Sequence, residues 1–346
     1  MSGLVANTFA DTNVVNGQTY FYTVTAINPA LGGESPPSVE ASAKPRYATT
    51  STAYQTAMLA AAPAVWWRFS ETNGALLYDA IGSQNGTNAG AVVLGAAGPR
   101  PPDFLGFEMT NTAAQFANGT ANSWINVPAL NLNTNTVTIT AWIYPVGTTA
   151  DYAGVCFYRS GCTVAGINYG GSVGANTGMI GYTWNNDQYT WNWTSGLTPP
   201  ANEWSFVALV IQPTSAIMYL VTTNGQQSAT NTYAHPSQGF SGAGAIGADT
   251  YDATGRTFNG LIDEVAVFNS ALTPAQIQSI FANGSQLDSV LVGCQRAGAN
   301  LNLTWPQGTL LQSSNLAGPW SRASASASPL VVSPTNGVMF YRVFLK

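Results

Sequence analysis

The sequence predicts an all-β protein, and two observations support this prediction. Runs of β-branched and aromatic residues recur along the chain, as at 20–27, 136–143 and 206–211, and clusters of Gly, Asn or Pro bound each run. Of the 346 residues, 45% are hydrophobic and 11% are aromatic. This apolar content suffices for one large core or for about two to three modest ones, so the chain is expected to be folded and not disordered.

Two short segments have the pattern of helices within this β framework. The first lies at 53–61 and the second at 273–282. In the second, Thr273 is a good N-cap, Pro274 suits the first helical position and Gly284 follows the predicted end. Both helices are expected to be brief connections between strands.

Charged residues are scarce, at 7% of the chain compared with about 25% in ordinary soluble domains. The net charge is −5 and the only lysines are Lys44 and Lys346, so the sequence predicts no nucleic-acid partner. Because no run of about 18 apolar residues is present, no membrane-spanning segment is expected. Residues 1–4 show no basic stretch followed by an apolar run, a start that fits a mature exported chain and a cytosolic chain alike.

Changes in composition divide the chain into three segments and one linker. The predicted boundaries are 1–45 for the first segment, 46–53 for a Thr- and Ser-containing linker, 54–284 for the large segment and 285–346 for the last. The last segment has short strand patterns separated by Gly and Pro turns.

The large segment carries a series of motifs, namely AVWWRFSE at 64–71, TITAWI at 138–143, WSFVAL at 204–209 and GLIDEVAVFN at 260–269. With these motifs, 54–284 resembles the laminin-G-like, concanavalin A-like family of jelly-roll sandwiches. The resemblance implies an antiparallel β-sandwich with one concave sheet. It also implies an extracellular or cell-surface protein that binds glycans, other proteins or surfaces.

Both flanking segments resemble smaller β modules. FADTNVVNGQTYFYTVTA at 9–26 resembles the C-terminal half of a fibronectin type III domain, so strands from elsewhere are needed to cover its apolar face. LTWPQG at 303–308, with GPW at 318–320 and FYR at 340–342, resembles a small module at the C-terminal ends of large exported bacterial proteins.

Catalysis by the known route of this family is not expected. Its glycan-cleaving members carry clustered carboxylates on one strand, which places two of them on either side of a sugar bond. The 15 acidic residues here are scattered, and the adjacent Asp263 and Glu264 would point to opposite sheet faces. The single histidine, His235, precedes Pro236 in a polar loop and is expected at the surface. The sequence therefore predicts that the chain is not an enzyme.

Calcium is a candidate cofactor through the resemblance to laminarinase-like members of the family. These hold Ca²⁺ with an acidic residue of the last strand and with groups near the first strand. Asp263 matches the last-strand position and Glu71 the first-strand position, and Asp79 lies in the following loop. The alternative is that Glu71 and Asp263 cap turns or pair with Arg68 or Arg256. A weaker cation candidate is the 247–252 loop with its two aspartates, which more simply shapes a turn.

Two of the three cysteines, Cys156 and Cys162, lie close together in the sequence. A disulfide between them is predicted for an oxidising compartment, with Cys294 left free and buried.

The strongest ligand signal is the alternation of aromatic and polar residues at 182–193. In a hairpin, Tyr189, Trp191 and Trp193 would line one face. Tyr182 and Trp184 would lie nearby to stack on sugar rings, with hydrogen bonds from Asn185, Asp187 and Gln188. The alternative is that part of this stripe belongs to the sandwich core.

Three functions follow from these features. The leading hypothesis is an exported, non-catalytic carbohydrate-binding or adhesion protein whose partner is a polysaccharide or a surface glycan. The alternative is a structural subunit of an extracellular filament, which self-assembles through the N-terminal half domain and the C-terminal module. The third, disfavoured, is a polysaccharide hydrolase or lyase.

Overall fold

A computed structural model describes residues 8–15, 18–28, 30, 32–43, 45, 51–170, 177–285, 292–305, 308–316, 318–324, 327–334 and 337–344. The chain forms two compact units, 1–285 and 286–346. Most of the predicted linker, 46–50, lies outside the described residues. Among the described residues, no helix combines the length and the apolar character that a membrane crossing requires.

The N-terminal segment contains four short strands, β1 (Tyr20–Tyr22), β2 (Ile27–Asn28), β3 (Gly33–Glu34) and β4 (Ala41–Ala43). β1 pairs with β4 and β2 with β3, both antiparallel. No described residue of 8–43 is buried, and Phe21 and Val24 are 64% and 70% exposed. The resemblance of this segment to half of a fibronectin type III domain stays a prediction.

Two antiparallel sheets form the body of the first unit. Their strands are β5 (Val65–Trp67), β6 (Leu76–Leu77), β7 (Gly86–Asn88), β8 (Val93–Ala97), β9 (Thr112–Phe116), β10 (Ile125–Val127), β11 (Val137–Pro145), β12 (Gly154–Ser160), β13 (Thr163–Tyr169), β14 (Ile180–Trp184), β15 (Ser205–Gln212), β16 (Ser215–Thr222), β17 (Gly225–Asn231), β18 (Gly244–Ile246) and β19 (Gly260–Phe268). One sheet has seven strands in the order β14-β13-β12-β18-β10-β7-β6. The other has eight, of which seven follow the order β17-β16-β15-β11-β19-β9-β8 and the eighth, β5, pairs with β19. The prediction of an all-β antiparallel sandwich is confirmed.

The first unit has two hydrophobic cores, and successive side chains of a strand point alternately into one core and the other. In β11, Val137, Ile139 and Ile143 enter the large core between the sheets, whereas Trp142 enters a second core. The second core is covered by two helices, α1 (Ala53–Ala61) and α3 (Pro274–Ser285). Burying one such large apolar side chain contributes about 1.5–3 kcal/mol to stability, so both cores matter.

Both predicted helices are confirmed, and their N-caps follow the expected chemistry. The amide of Gln55 donates to the Thr52 hydroxyl at 3.2 Å, and the amide of Gln276 donates to the Thr273 hydroxyl at 3.2 Å. However, α3 continues past the predicted end at 282 and includes Gly284. A Cβ at Gly284 would lie 2.9 Å from side-chain atoms of Tyr54 and 3.0 Å from Trp142, so this glycine permits close packing and does not end the helix.

The second unit contains two three-stranded antiparallel sheets. Their strands are β20 (Gly293–Ala297), β21 (Asn300–Thr304), β22 (Thr309–Ser313), β23 (Ser321–Arg322), β24 (Leu330–Val332) and β25 (Phe340–Phe344). One sheet has the order β20-β21-β24 and the other has the order β23-β22-β25. Its small core contains Leu303, Trp305, Leu310 and Ala323. Its resemblance to a known C-terminal module stays a prediction.

The predicted disulfide is wrong, because all three cysteines are free. Cys156 is buried in β12, whereas Cys162 is exposed in the turn between β12 and β13. Each residue of extended strand advances the chain by about 3.3 Å, so the stretch from Cys156 to the end of β12 already exceeds the Cα separation of about 4–7 Å that a disulfide needs. Cys294 is exposed and not buried as predicted.

Candidate functional site

The segment 182–193 does not form the predicted hairpin. β14 ends at Trp184, and the short helix α2 (Gln188–Trp191) follows a turn in which Asn185 and Asn186 have φ of 55° and 53°. The Asp187 carboxylate accepts a hydrogen bond from the amide of Tyr189 at 2.9 Å and caps this helix. Because a helix begins after Asp187, the side chains that follow have the helical period and not the period of two that a strand would give. The aromatic side chains of 182–193 therefore do not line one common face.

Tyr182 and Trp184 are not ligand contacts, contrary to the prediction. They are 1% and 0% exposed and belong to the large core. His235, predicted at the surface, is 2% exposed. Its Nε2 is hydrogen-bonded to the Tyr182 hydroxyl at 2.9 Å, and its ring contacts those of Trp184 and Tyr233. Burial lowers the pKa of this imidazole, which favours the neutral form.

A pocket of about 570 Å³, here called the first pocket, lies on the outer face of the seven-stranded sheet. Arg159 of β12 and Thr183 of β14 each alternate with side chains that enter the large core, and so they point outward. The residues that line the pocket are Tyr152, Arg159, Thr183, Asn186, Asp187, Gln188, Trp191, Tyr251 and Arg256.

A buried carboxylate holds the two arginines of the first pocket. Asp249 is 1% exposed. It accepts hydrogen bonds from Nε and Nη2 of Arg159 at 2.5 and 2.9 Å and from Nη1 of Arg256 at 2.9 Å. It also accepts the amide of Tyr251 at 3.1 Å, at the start of a 3-10 turn (Thr250–Asp252). The loop predicted as a turn is thus a turn, and its buried aspartate is satisfied by guanidinium groups.

Aromatic rings sandwich the guanidinium of Arg256. Its Cζ lies 4.6 Å from the ring centroid of Tyr152 and 4.5 Å from that of Tyr251. The Cζ of Arg159 lies 5.3 Å from the Tyr251 centroid, and Trp191 meets Tyr152 edge-on at 6.1 Å. Each cation–π contact contributes about 0.5–1 kcal/mol at an exposed site. These contacts hold the Tyr251 ring in place although it is 70% exposed.

A second pocket of about 560 Å³ adjoins the first and shares Gln188 with it. Its lining consists of Gln188, Tyr189, Asn192, Trp193, Thr194, Asn231 and Tyr233. On a helix, residues three or four apart share a face, so Gln188 and Trp191 face the first pocket while Tyr189 and Asn192 face the second. The two pockets therefore lie on either side of α2.

The three predicted metal ligands serve separate hydrogen bonds. Asp79 accepts the amides of Trp66, Ile81 and Gln84 at 3.1, 2.9 and 3.1 Å. Glu71 accepts the amide of Tyr78 at 2.9 Å, and Asp263 accepts Nδ2 of Asn111 at 2.8 Å. Within the described parts of the chain, no group of three or more His, Cys, Asp or Glu residues is placed to hold a metal ion. Calcium binding by Glu71, Asp79 and Asp263 therefore stays a prediction, and the structure provides no joint ligand set for it.

Asp263 and Glu264 form a buried acidic pair. Both are 0% exposed, and Glu264 has a φ of 53° in β19. Glu264 accepts hydrogen bonds from Nε1 of Trp66 at 2.6 Å and from Nε of Arg68 at 3.2 Å. Burial raises the pKa of Glu264 to about 7, against the opposing charge of Arg68, and burial also raises the pKa of Asp263.

A family model matches part of the jelly-roll segment. Residues 118–278 match the model of the concanavalin A-like lectin/glucanases superfamily, which confirms the resemblance for this segment. The residues that line both pockets lie within the match. The family is carbohydrate-related by its description. No curated protein sequence matches the chain.

Two similar solved structures come from glycan-acting proteins. Domain 4 of AbnA, a GH43 extracellular arabinanase from Geobacillus stearothermophilus in complex with arabinotriose, is 19% identical with a TM-score of 0.44, and the match covers 63% of this chain and 98% of that one. Trypanosoma rangeli sialidase with the inhibitor DANA is 11% identical with a TM-score of 0.43. The second match covers 63% of this chain but only 32% of the sialidase. One neighbour is an enzyme and the other is a domain of an enzyme, so the prediction that the chain is not an enzyme is not upheld, and at these identities and TM-scores the likeness assigns no activity to this chain.

Proposed function

We propose that the first pocket of this concanavalin A-like sandwich binds carbohydrate. The observation that carries the proposal is the pair of guanidinium groups held on buried Asp249 beside the exposed ring of Tyr251. A sugar presents an apolar C–H face and a rim of hydroxyl groups. The rings of Tyr251 and Trp191 suit the apolar face, and the arginine N–H groups suit the hydroxyls.

Rigidity favours binding at this place. Arg159 and Arg256 have side chains that are 16% and 24% exposed, and both are fixed by charge-assisted hydrogen bonds before any ligand arrives. Less conformational entropy is then lost on binding than with free arginine side chains. Of the five N–H groups of Arg256, one donates to Asp249, so others remain for a ligand.

The charges of the first pocket favour an uncharged glycan. Arg159 and Arg256 bring two positive charges, and Asp249 and Asp187 bring two negative charges. A carboxylate on the sugar would be attracted by the two arginines but repelled by the two aspartates. The extracellular or cell-surface location and self-assembly through the flanking segments stay predictions.

A glycan panel tests the proposal. We would titrate the full chain with β-glucans, arabinan, xylan and mannan by calorimetry, and analyse the mixtures for cleavage products. At least one neutral polysaccharide should bind, and R256A should weaken it tenfold or more, because hydrogen bonds to charged groups contribute about 1.5–3 kcal/mol. The matched control is R100A, since Arg100 is exposed and lines neither pocket. Binding of R256A equal to that of the wild type, or no binding across the panel, would overturn the proposal.

A further inference from the structure

We propose that the second pocket is a second sugar subsite, so that the ligand is an internal stretch of a linear neutral polysaccharide that crosses α2. This inference rests on the proposed function of the first pocket and specifies the ligand class. A single terminal sugar would need only the first pocket.

The first argument is that the exposed ring of Tyr189 is positioned by packing on a neighbouring ring. Tyr189 is 60% exposed, yet its ring packs on Tyr233 at a centroid distance of 5.1 Å. The Tyr233 hydroxyl donates to Asp187 at 2.9 Å, and Asn231 Nδ2 donates to the Tyr189 carbonyl at 2.9 Å. An ordered aromatic face that is open to solvent is suited to stacking on a sugar ring. Tyr251 has the same character in the first pocket.

The second argument is the continuity of the two pockets. Gln188 is exposed and lines both. Asp187 lines the first pocket and caps α2. It also accepts a hydrogen bond from the hydroxyl of Tyr233, which lines the second pocket. One helix turn therefore separates the exposed rings, and a chain of linked sugars that passes over it would meet Tyr251, then Gln188, then Tyr189.

The third argument is the chemistry of the second pocket. Its lining has amide, hydroxyl and aromatic groups and no charged side chain. Such a lining offers hydrogen bonds to sugar hydroxyls and gives no counter-charge for an acidic sugar. It matches the balanced charge of the first pocket, so one uncharged polysaccharide can occupy both.

Chain length provides the test. We would measure affinities for mono- to hexasaccharides of β-1,3-glucan, β-1,4-glucan, arabinan, xylan and mannan, using the wild type, Y189A, Y189F and W191A. For the series that binds, the hexasaccharide should bind about tenfold more tightly than the disaccharide. Y189A should remove this gain and leave disaccharide binding unchanged. Y189F keeps the ring and should retain the gain, which distinguishes stacking from a fold defect.

Two other outcomes separate this inference from the proposed function. If W191A weakens every length and affinity does not depend on length, the second subsite is overturned and the first pocket stands. If no oligosaccharide binds, or if W191A binds all lengths as the wild type does, both are overturned.

Discussion

The Arg159 guanidinium and the Asp249 carboxylate meet through two hydrogen bonds of 2.5 and 2.9 Å, although 90 residues separate them in the sequence. Arg159 stands near the end of β12, and Asp249 opens the turn that follows β18. β12 and β18 are antiparallel neighbours, with Cys156 opposite Ile246, so Arg159 and Asp249 lie beyond this pair in opposite directions. The Arg159 side chain closes the gap by lying back along β12, with its Cζ 5.1 Å from the ring centroid of Phe157. The candidate site therefore depends on the path of this long side chain as well as on the pairing of the strands.

Removing the charge of Asp249 should damage both stability and binding. D249N keeps the size of the side chain but leaves two guanidinium groups without their shared counter-charge. We expect the free energy of unfolding to fall by about 3 kcal/mol, as measured by urea denaturation, and glycan affinity to fall with it. D252N is the matched control, because Asp252 is exposed and its carboxylate accepts hydrogen bonds from the amides of Thr254 and Gly255. Equal effects of the two substitutions would contradict a special role for Asp249.

Gly154 should be required for the position of the Asp249 loop. A Cβ on Gly154 would lie 2.3 Å from the carbonyl of Ala248, and Gly154 also donates its amide to the Arg256 carbonyl at 3.2 Å. G154A should lower stability by about 1–3 kcal/mol and weaken glycan binding. In G181A, on a strand of the same sheet, the nearest atom to the new Cβ lies 3.8 Å away, so little change is expected. Thermal unfolding would measure the stability of both variants, and calorimetry would measure their glycan affinity. Equal effects of G154A and G181A would contradict the role of Gly154.

The buried acid Glu264 should make stability depend on pH. Its pKa is raised by burial to about 7 from an ordinary value of 4.5. Between these values the folded chain keeps a proton that the unfolded chain releases, so this group's contribution is complete below about pH 4.5 and is lost as the pH rises through 7. Asp263 acts in the same direction, whereas His235, whose pKa is lowered, acts in the opposite one.

The measurement therefore compares E264Q with the wild type. The difference in Tm, E264Q minus wild type, should increase from pH 5 to pH 8, because the wild type alone loses the protonated carboxyl. A difference that stays constant over this range would show that Glu264 does not titrate as expected.

The three cysteines should differ in reactivity. Cys162 and Cys294 are exposed, whereas Cys156 is buried and its pKa is raised by burial to about 12. A thiol reagent such as DTNB should modify two thiols in the native protein and the third only after unfolding. C162S should lower the native number by one. A mass that shows one disulfide before reduction would contradict the free thiols.

Local sequence patterns were sufficient for the elements of the fold. The β-branched and aromatic run predicted the strand at 136–143, and Thr273 with Pro274 predicted the start of α3 because capping is a local interaction. The same reasoning failed at 182–193. Asp187 would lie in a polar turn both in the predicted hairpin and before the observed helix. Only the hydrogen bond that its carboxylate accepts from the Tyr189 amide shows that a helix follows.

The site was predicted in part. Asp187, Gln188 and Trp191 do line the first pocket, and Tyr189 and Trp193 line the second. The arginines and tyrosines that complete the first pocket, Tyr152, Arg159, Tyr251 and Arg256, were missed, because they come from two stretches, 152–159 and 251–256, that are separate from 182–193 in the sequence. One signal was available: arginines are few in a chain with 7% charged residues, and Arg256 follows Asp249 and Asp252 closely.

By itself the sequence determined the all-β class and the positions of the two helices that begin at 53 and near 273, since these depend on the residue types along each run and on contacts within a few residues. Only the tertiary structure decided that Arg159, Asp249 and Arg256 form one cluster and that Tyr182 and Trp184 are core residues. The physical reason is that strand pairing, side-chain path and burial determine which side chains distant in the sequence come into contact. A buried ion pair contributes to stability only when the fold has brought its two side chains into contact.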